Sequence, residues 1–274
     1  MTDSSASETR FDRDIAVHPL GDDRYSIRID PSWWIVRGPN GGYIAALLVN
    51  AMKTSVGDSS RGLRSLTIHY LRPPAAGPAE IHASVERQGR SMTTVTARLV
   101  QDGKPQALAV AAFSKPRESI ELHHAVMPEV ALPEDLPGRD ANPEVPIHGM
   151  YDQRPALGAG PWSETLGSQA LTGGWIRLAE PRAMDDALIA AIADAWAPAI
   201  FAADLALPSR GVPTIDLTVH VLTTLPLATM QPDDHVLVIF RTLEAREGFL
   251  EEDGEIWSRD GTLIAQCRQL AVMA

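Results

Sequence analysis

Two almost uninterrupted apolar stretches stand out from a chain that elsewhere alternates. Tyr43-Ile44-Ala45-Ala46-Leu47-Leu48-Val49 follows Asn40-Gly41-Gly42, and Ala187-Leu188-Ile189-Ala190-Ala191-Ile192-Ala193 follows Asp185-Asp186. A helix that is apolar on most sides is a buried helix. Each stretch is followed by runs of period two. Ser65-Leu66-Thr67-Ile68-His69 resembles Asp216-Leu217-Thr218-Val219-His220, where Ile215, Leu217, Val219 and Val221 alternate with polar residues. That is the period of a half-buried strand. A second strand is predicted in each half, over Glu80 to Glu86 and His235 to Leu243. Asp102-Gly103 and Asp260-Gly261 then separate further alternating runs, which end with Ala107 to Phe113 and Leu263 to Met273. Asp-Gly favours the type I′ hairpin turn, whose two central residues need positive φ. The pattern therefore predicts an α+β fold made of one unit used twice, each unit a buried helix against an antiparallel sheet.

Between the units, prolines recur at positions 128, 133, 137, 143, 146 and 155. Proline lacks the N–H that a helix or a ladder requires, so this stretch reads as a linker. The expected division is an N-terminal unit over 1–120, a linker over 121–161 and a C-terminal unit over 162–274. His123, His124 and His148 lie in the linker without metal-ligand spacing and are expected to face solvent.

The chain has 274 residues, 45% of them hydrophobic and 22% charged, with a formal net charge of −11. An acidic chain lacks the concentrated basic surface that a nucleic acid requires, so no nucleic-acid partner is expected, and no anionic membrane. A few local arginines or backbone amides still suffice for a phosphorylated ligand; Arg37, Arg61, Arg64 and Arg72 are the candidates, with a solvated surface role as the default. No apolar run reaches bilayer length, and the opening MTDSSASETRFDRD is polar, so a cytoplasmic protein is expected. The single cysteine, Cys267, forms no internal disulfide and reads as a small buried side chain.

Four segments resemble the acyl-CoA thioesterase II family within the wider thioesterase-like superfamily. They are Arg37-Gly-Pro-Asn-Gly-Gly-Tyr43; His69-Tyr-Leu-Arg-Pro73 leading to Val85-Glu86-Arg87 and Gly89-Arg90-Ser91; Pro213-Thr214-Ile215-Asp216; and Leu263-Ile264-Ala265 through Gln269 to Met273. The resemblance spans nearly the whole chain outside the linker. It implies a double hot-dog fold, two antiparallel sheets each wrapped on a buried helix and fused in one chain. It implies an acyl-CoA substrate, hydrolysis by direct water attack, no cofactor and no metal. Hot-dog sheets often join edge to edge, so it also implies a homo-oligomer. In that family an Asp on the buried helix, a Thr at a strand start and a Gln near the end of the last strand orient the water. The matching residues are Asp194, Thr214 and Gln269. Trp196 and Pro198 depart from the family pattern, as does the acidic run Glu251, Glu252, Asp253 and Glu255.

The chemistry fits these residue types. Hydrolysis of a thioester needs a group that takes a proton from water and donors that meet the developing oxyanion. Asp194 is the one charged residue between Asp186 and Asp204, and an acid among apolar neighbours is costly without purpose or partner. Asn40-Gly41-Gly42-Tyr43 would offer a helix N-terminus whose free amides favour negative charge. Gly41, Gly42 and Tyr43 are therefore the candidate oxyanion and substrate-binding residues. The second helix carries the acid and the first carries the glycine tip, so one complete site and one dead counterpart are expected. Asp216, His69 and His220 read as strand residues. Trp33, Trp34, Trp162 and Trp175 read as core, with an acyl tunnel as the alternative. The chain has no Gly-x-Ser-x-Gly, no His-Glu-x-x-His and no phosphate loop. The rival readings are a catalytically weak acyl-CoA-binding protein and an enoyl-CoA hydratase or dehydratase; the second helix has no histidine for the latter.

Overall fold

The computed structural model of the chain describes residues 8–205 and 211–273; the first seven residues of the polar opening stretch lie outside them. In order the elements are α1 (Arg10–Asp14), β1 (His18–Gly21), β2 (Arg24–Ile29), α2 (Gly41–Val56), β3 (Gly62–Tyr70), β4 (Gly77–Gln88), β5 (Met92–Gln101), β6 (Lys104–Ser114), β7 (Tyr151–Gly158), β8 (Leu171–Leu178), α3 (Asp186–Ile192), β9 (Thr214–Val221), β10 (Val236–Arg241), β11 (Ala245–Arg246), β12 (Phe249–Trp257) and β13 (Leu263–Val272). No helix among the described residues is long and apolar enough to cross a membrane.

The strands pair in the order β1-β2-β4-β5-β6-β3-β9-β13-β12-β10-β8-β7, with β11 on β12. Counted outward from the β3–β9 junction, the two sides repeat the same plan: β6, β5, β4 and β2 on one, and β13, β12, β10 and β8 on the other. The expected two sheets are one. β3 and β9 join antiparallel, pairing Ser65 with His220, Thr67 with Thr218 and His69 with Asp216. The two strands whose sequences resemble each other are therefore each other's neighbours, related by a local twofold through Thr67 and Thr218. The hydroxyls of these threonines lie 3.1 Å apart. Two edge strands carry unpaired ladder groups, and joining them removes two edges at once.

The stretch expected to be linker holds β7, the last strand of the sheet. Pro155 is tolerated there because it sits at a register shift on an edge strand. His123 and His124 are exposed, but His148 is half-buried. Its Nε2 lies 3.1 Å from an Arg139 Nη2, and burial beside that cation lowers its pKa to about 4. The Asp102-Gly103 turn has both residues at positive φ, as a type I′ turn requires. At Asp260-Gly261 only the glycine does; the Ser258 hydroxyl accepts from Thr262 N instead and closes a longer loop. The Asp22-Asp23 turn between β1 and β2 adopts positive φ at both residues without a glycine, a conformation that Asp tolerates.

α2 is buried along most of its length, as its sequence requires. Asn40 caps its start, accepting from Tyr43 N at 3.1 Å, and Gly57 ends it in the left-handed region at φ 63. α3 is shorter than expected. It ends at Ile192, so Asp194 follows the helix rather than riding on it. The helices run antiparallel, with Gly42 against the carbonyl of Ala191 and Lys53 against Asp186. A Cβ on Gly42 would stand 2.2 Å from that carbonyl oxygen, so the crossing depends on glycine.

Candidate functional site

The end of α3 delivers Asp194 to the N-terminus of α2. Its Oδ2 accepts from Gly42 N at 3.0 Å and from Asn40 Nδ2 at 3.0 Å, and Asn40 Nδ2 also donates to Asp194 O at 2.7 Å. The orientation of the Asn40 amide is fixed, because its oxygen is already the cap acceptor for Tyr43 N. Asp194 is half-buried rather than fully enclosed. Burial raises its pKa to about 6, opposed by the amides of Gly42 and Gly41 and by the side chains of Gln269 and Asn40.

Thr214 opens β9 and Gln269 stands on β13. Thr214 pairs with Ala271 just past a register shift, and its hydroxyl donates to Gln269 Oε1 at 2.8 Å. Asp216 serves this bulge, its carboxylate accepting from Leu270 N at 3.2 Å. Thr214 and Gln269, far apart in the chain, are thus hydrogen-bonded to each other, and the Gln269 side chain lowers the pKa of Asp194 against the rise that burial causes.

Gly41 and Gly42 are also at the site, but Gly42 N–H, expected to stand free for an oxyanion, holds the Asp194 carboxylate instead. Gly41 has no room for a side chain: a Cβ would lie 2.8 Å from Asp194 Oδ2 and 3.0 Å from the Tyr70 ring. The Tyr43 side chain does not reach the site. It stacks on Trp33 with ring centroids 5.2 Å apart, and its hydroxyl donates to Asp14 O at 2.9 Å. Trp33 and Trp175 are core residues, each 1% exposed. Trp162 packs edge-on against Trp196. Cys267 is buried, as expected of a small side chain.

Three residues join the site that the sequence reading did not select. Tyr70 donates from its hydroxyl to Gly41 O at 2.9 Å. The hydroxyl of Tyr151, on β7, is buried without a hydrogen-bond partner. Burial raises both phenols well above their ordinary range, and the Asp194 charge pushes them further. The third is Glu252, 3% exposed, whose Oε1 accepts from Gln269 Nε2 at 2.7 Å and whose Oε2 accepts from Ala199 N. Its pKa is raised to about 7, by burial first. Its acidic neighbours in sequence hid it, but strand phase gives it away. On β12, Leu250, Glu252, Gly254 and Ile256 are buried, while Glu251, Asp253 and Glu255 are not.

The opposite end of the helix pair carries different chemistry. There Lys53 Nζ meets Asp186 Oδ2 at 2.6 Å, and Asp185 accepts from Ala187 N and Leu188 N. An ion pair and a capped tip close this end. Among the described residues no group of three His, Cys, Asp or Glu is placed to hold a metal.

Antiparallel strands repeated about a twofold, two abutting helices and a lone carboxylate at a glycine tip define a hot-dog-type protein of the thioesterase class. The chain belongs to the acyl-CoA thioesterase family: residues 30–114 match the sequence model of the acyl-CoA thioesterase N-terminal domain and residues 128–273 that of the C-terminal domain. It is similar to a hot-dog-fold protein of unknown function from Alicyclobacillus acidocaldarius, with a TM-score of 0.85, 28% identity and coverage of 97% of this chain and 98% of that one. Its fold is shared with an acyl-CoA thioesterase II, TesB2, from Mycobacterium marinum, with a TM-score of 0.74, 20% identity and coverage of 96% and 98%. An uncharacterized protein of Mycobacterium tuberculosis is 25% identical, over 96% of this chain and 98% of its own.

Proposed function

We propose that this protein hydrolyses an acyl-CoA thioester to the free acid and CoA by direct attack of water, in a double hot-dog arrangement with one competent site. The observation that carries this reading is the Asp194 carboxylate, held at the α2 tip by Gly42 N and Asn40 Nδ2 beside the Thr214–Gln269 pair.

Asp194 is the base. With its pKa near 6, it is ionised at neutral pH and more basic than an ordinary aspartate, which suits proton abstraction from water. The amide bonds fix Oδ2, and the remaining lone pairs face a water that the Thr214 hydroxyl and the Gln269 amide help to hold. Holding the water in line removes much of the entropic barrier to attack. The water gives its proton to Asp194 as its oxygen bonds to the thioester carbonyl carbon. The C–S bond then breaks, the acid is released, and the proton returns to the departing CoA sulfur. The positive end of the α2 dipole favours the negative charge that builds during attack.

The closed end, with its Lys53–Asp186 pair, has no free carboxylate beside a glycine tip and is the inactive counterpart. An open pocket of about 690 Å³, lined by Leu166, Ala170, Ile200, Ala203, Leu205 and Thr242 among others, adjoins the turn whose Ala199 amide meets Glu252.

The test is a panel of acyl-CoAs of graded chain length, with release of free thiol as the readout. Turnover that disappears in Asp194→Asn supports the reading. Tight binding of acyl-CoA without thiol release would make the protein a binder.

A further inference from the structure

We propose that Glu252 is a positioning residue for this site: its carboxylate sets which way the Gln269 amide faces, and so which atoms Thr214 and the Asp194 side receive. The inference rests on the hydrolase reading and assigns a role that the Asp194, Thr214 and Gln269 set leaves open.

A glutamine amide has two faces of similar shape and opposite chemistry, one an acceptor and the other a double donor. Nothing in Gln269 itself selects between them. Thr214 does not select either, because a hydroxyl both donates and accepts. An ionised carboxylate only accepts. Glu252 stands directly across the ladder from Gln269, so the two side chains share a face. Its Oε1 takes one Gln269 N–H at 2.7 Å. The Gln269 oxygen must then turn to the Thr214 hydroxyl, which donates at 2.8 Å. The second Gln269 N–H remains for the side of Asp194, whose carboxylate the Gln269 side chain stabilises. Glu252 is itself held in place, because Oε2 accepts from Ala199 N at the start of the turn that follows Pro198.

Protonation of Glu252 undoes this arrangement. A carboxylic acid carries one O–H, and both of its present neighbours are donors. The protonated oxygen is a weaker acceptor for Ala199 N–H or Gln269 N–H, and its new O–H has no acceptor among these two. Turning the Gln269 amide over gives that O–H an oxygen to meet and presents N–H to the Thr214 hydroxyl in place of oxygen. The charges facing Glu252 are Asp194, from beyond α3, and Glu251, on its own strand, and both disfavour its ionised form. The Cys267 thiol on β13 is held protonated by burial first, and then by the charges of Glu252 and Asp194. The phenols of Tyr70 and Tyr151 are kept protonated by burial first and by the Asp194 charge second. Arg268 lies outside this cluster, paired with Glu251 and Asp253.

The acid side of the rate profile then involves two groups. Both Asp194 and Glu252 must lose a proton, so log kcat/KM in the wild type falls with a limiting slope of two below pH about 6, the lower of their two raised values. Glu252→Gln keeps one acceptor and removes one titration. The expected result is a kcat lowered roughly 10- to 100-fold, a KM within about threefold, and an acid limb of slope one. A kcat like the wild type, a change confined to KM, or an acid limb still of slope two in the variant overturns the proposal. A second readout does not depend on turnover. The side-chain amide ¹⁵N resonance of Gln269, identified by its loss in Gln269→Met, should titrate near pH 7 in the wild type and stay flat in Glu252→Gln. A wild-type resonance that does not move overturns the proposal even if Glu252→Gln fails to fold. Absence of thiol release by the wild type from any acyl-CoA, with the resonance titrating as described, defeats the hydrolase reading and leaves the Glu252–Gln269 coupling standing.

Discussion

Gly42→Ala tests the crossing that builds the site. The added methyl carbon would stand 2.2 Å from the Ala191 carbonyl oxygen, and the obstacle is backbone rather than a flexible side-chain end. Ordinary contact begins near 3.4 Å, so α2 and the end of α3 must part by about 1 Å, in a core that yields little. Gly42 N and Asp194 Oδ2 are 3.0 Å apart; a move of about 1 Å breaks that bond. Overpacking costs about 1–3 kcal/mol, and the lost bond to a charged acceptor about 1.5–3 kcal/mol. Alanine's better helix propensity offsets about 1 kcal/mol, so a net loss of roughly 2–5 kcal/mol is expected. For a chain of this size that lowers Tm by roughly 5–15 °C, read by calorimetry. Displacement of the catalytic carboxylate by about 1 Å should lower kcat/KM about 100-fold. Gly149→Ala is the control, since a Cβ there meets nothing within 4 Å. A Gly42→Ala protein with unchanged Tm and unchanged turnover would show that the helices do not abut as described.

Asp194→Asn should lower kcat/KM about 10²- to 10⁴-fold, the range of a lost general base, with an unaltered far-UV circular dichroism spectrum; unaltered thiol release would remove Asp194 from the mechanism. Asp194 and Glu252 have folded-state pKa values raised from 3.8 to about 6 and from 4.5 to about 7. Their contribution to stability is complete below the unfolded values and is lost as pH rises through the folded ones. Denaturant unfolding at pH 5 and pH 8 should therefore show a loss towards pH 8 that shrinks in the Asp194→Asn, Glu252→Gln double variant. Lys53→Met leaves Asp186 buried and unpaired. It should cost about 2 kcal/mol, below the ~3–5 kcal/mol of a fully buried pair, because the Lys53 side chain is 35% exposed. Adding Asp186→Asn should recover most of that loss, measured by chemical denaturation.

Much of the plan was legible along the chain. Apolar periodicity marked α2, α3 and β9, because burial on all sides and burial on one side leave different spacings. The lone acid read on an alanine-rich helix pointed to Asp194, since an uncompensated carboxylate is rarely placed there without a use. Glu252 was legible in principle through its phase with Leu250 and Ile256 but was masked by the charges beside it. Strand β7 was hidden by Pro155, which reads as a breaker unless the strand is known to be an edge.

The sequence by itself determined the two buried helices and the strands that alternate plainly, such as β3, β9 and β13, that the unit is repeated, and which side chains have acidic, amide or hydroxyl chemistry. Tertiary structure alone decided that β3 and β9 pair with each other, making one sheet. It also decided that the glycine tip of α2 meets the end of α3, and that the Tyr43 side chain turns into the core while the Tyr70 hydroxyl meets the α2 tip at Gly41. The reason is range. Periodicity and capping act over a few residues and are written locally. Gly42 and Asp194, or Glu252 and Ala199, are neighbours only because the sheet closes through distant pairings, which no local pattern records.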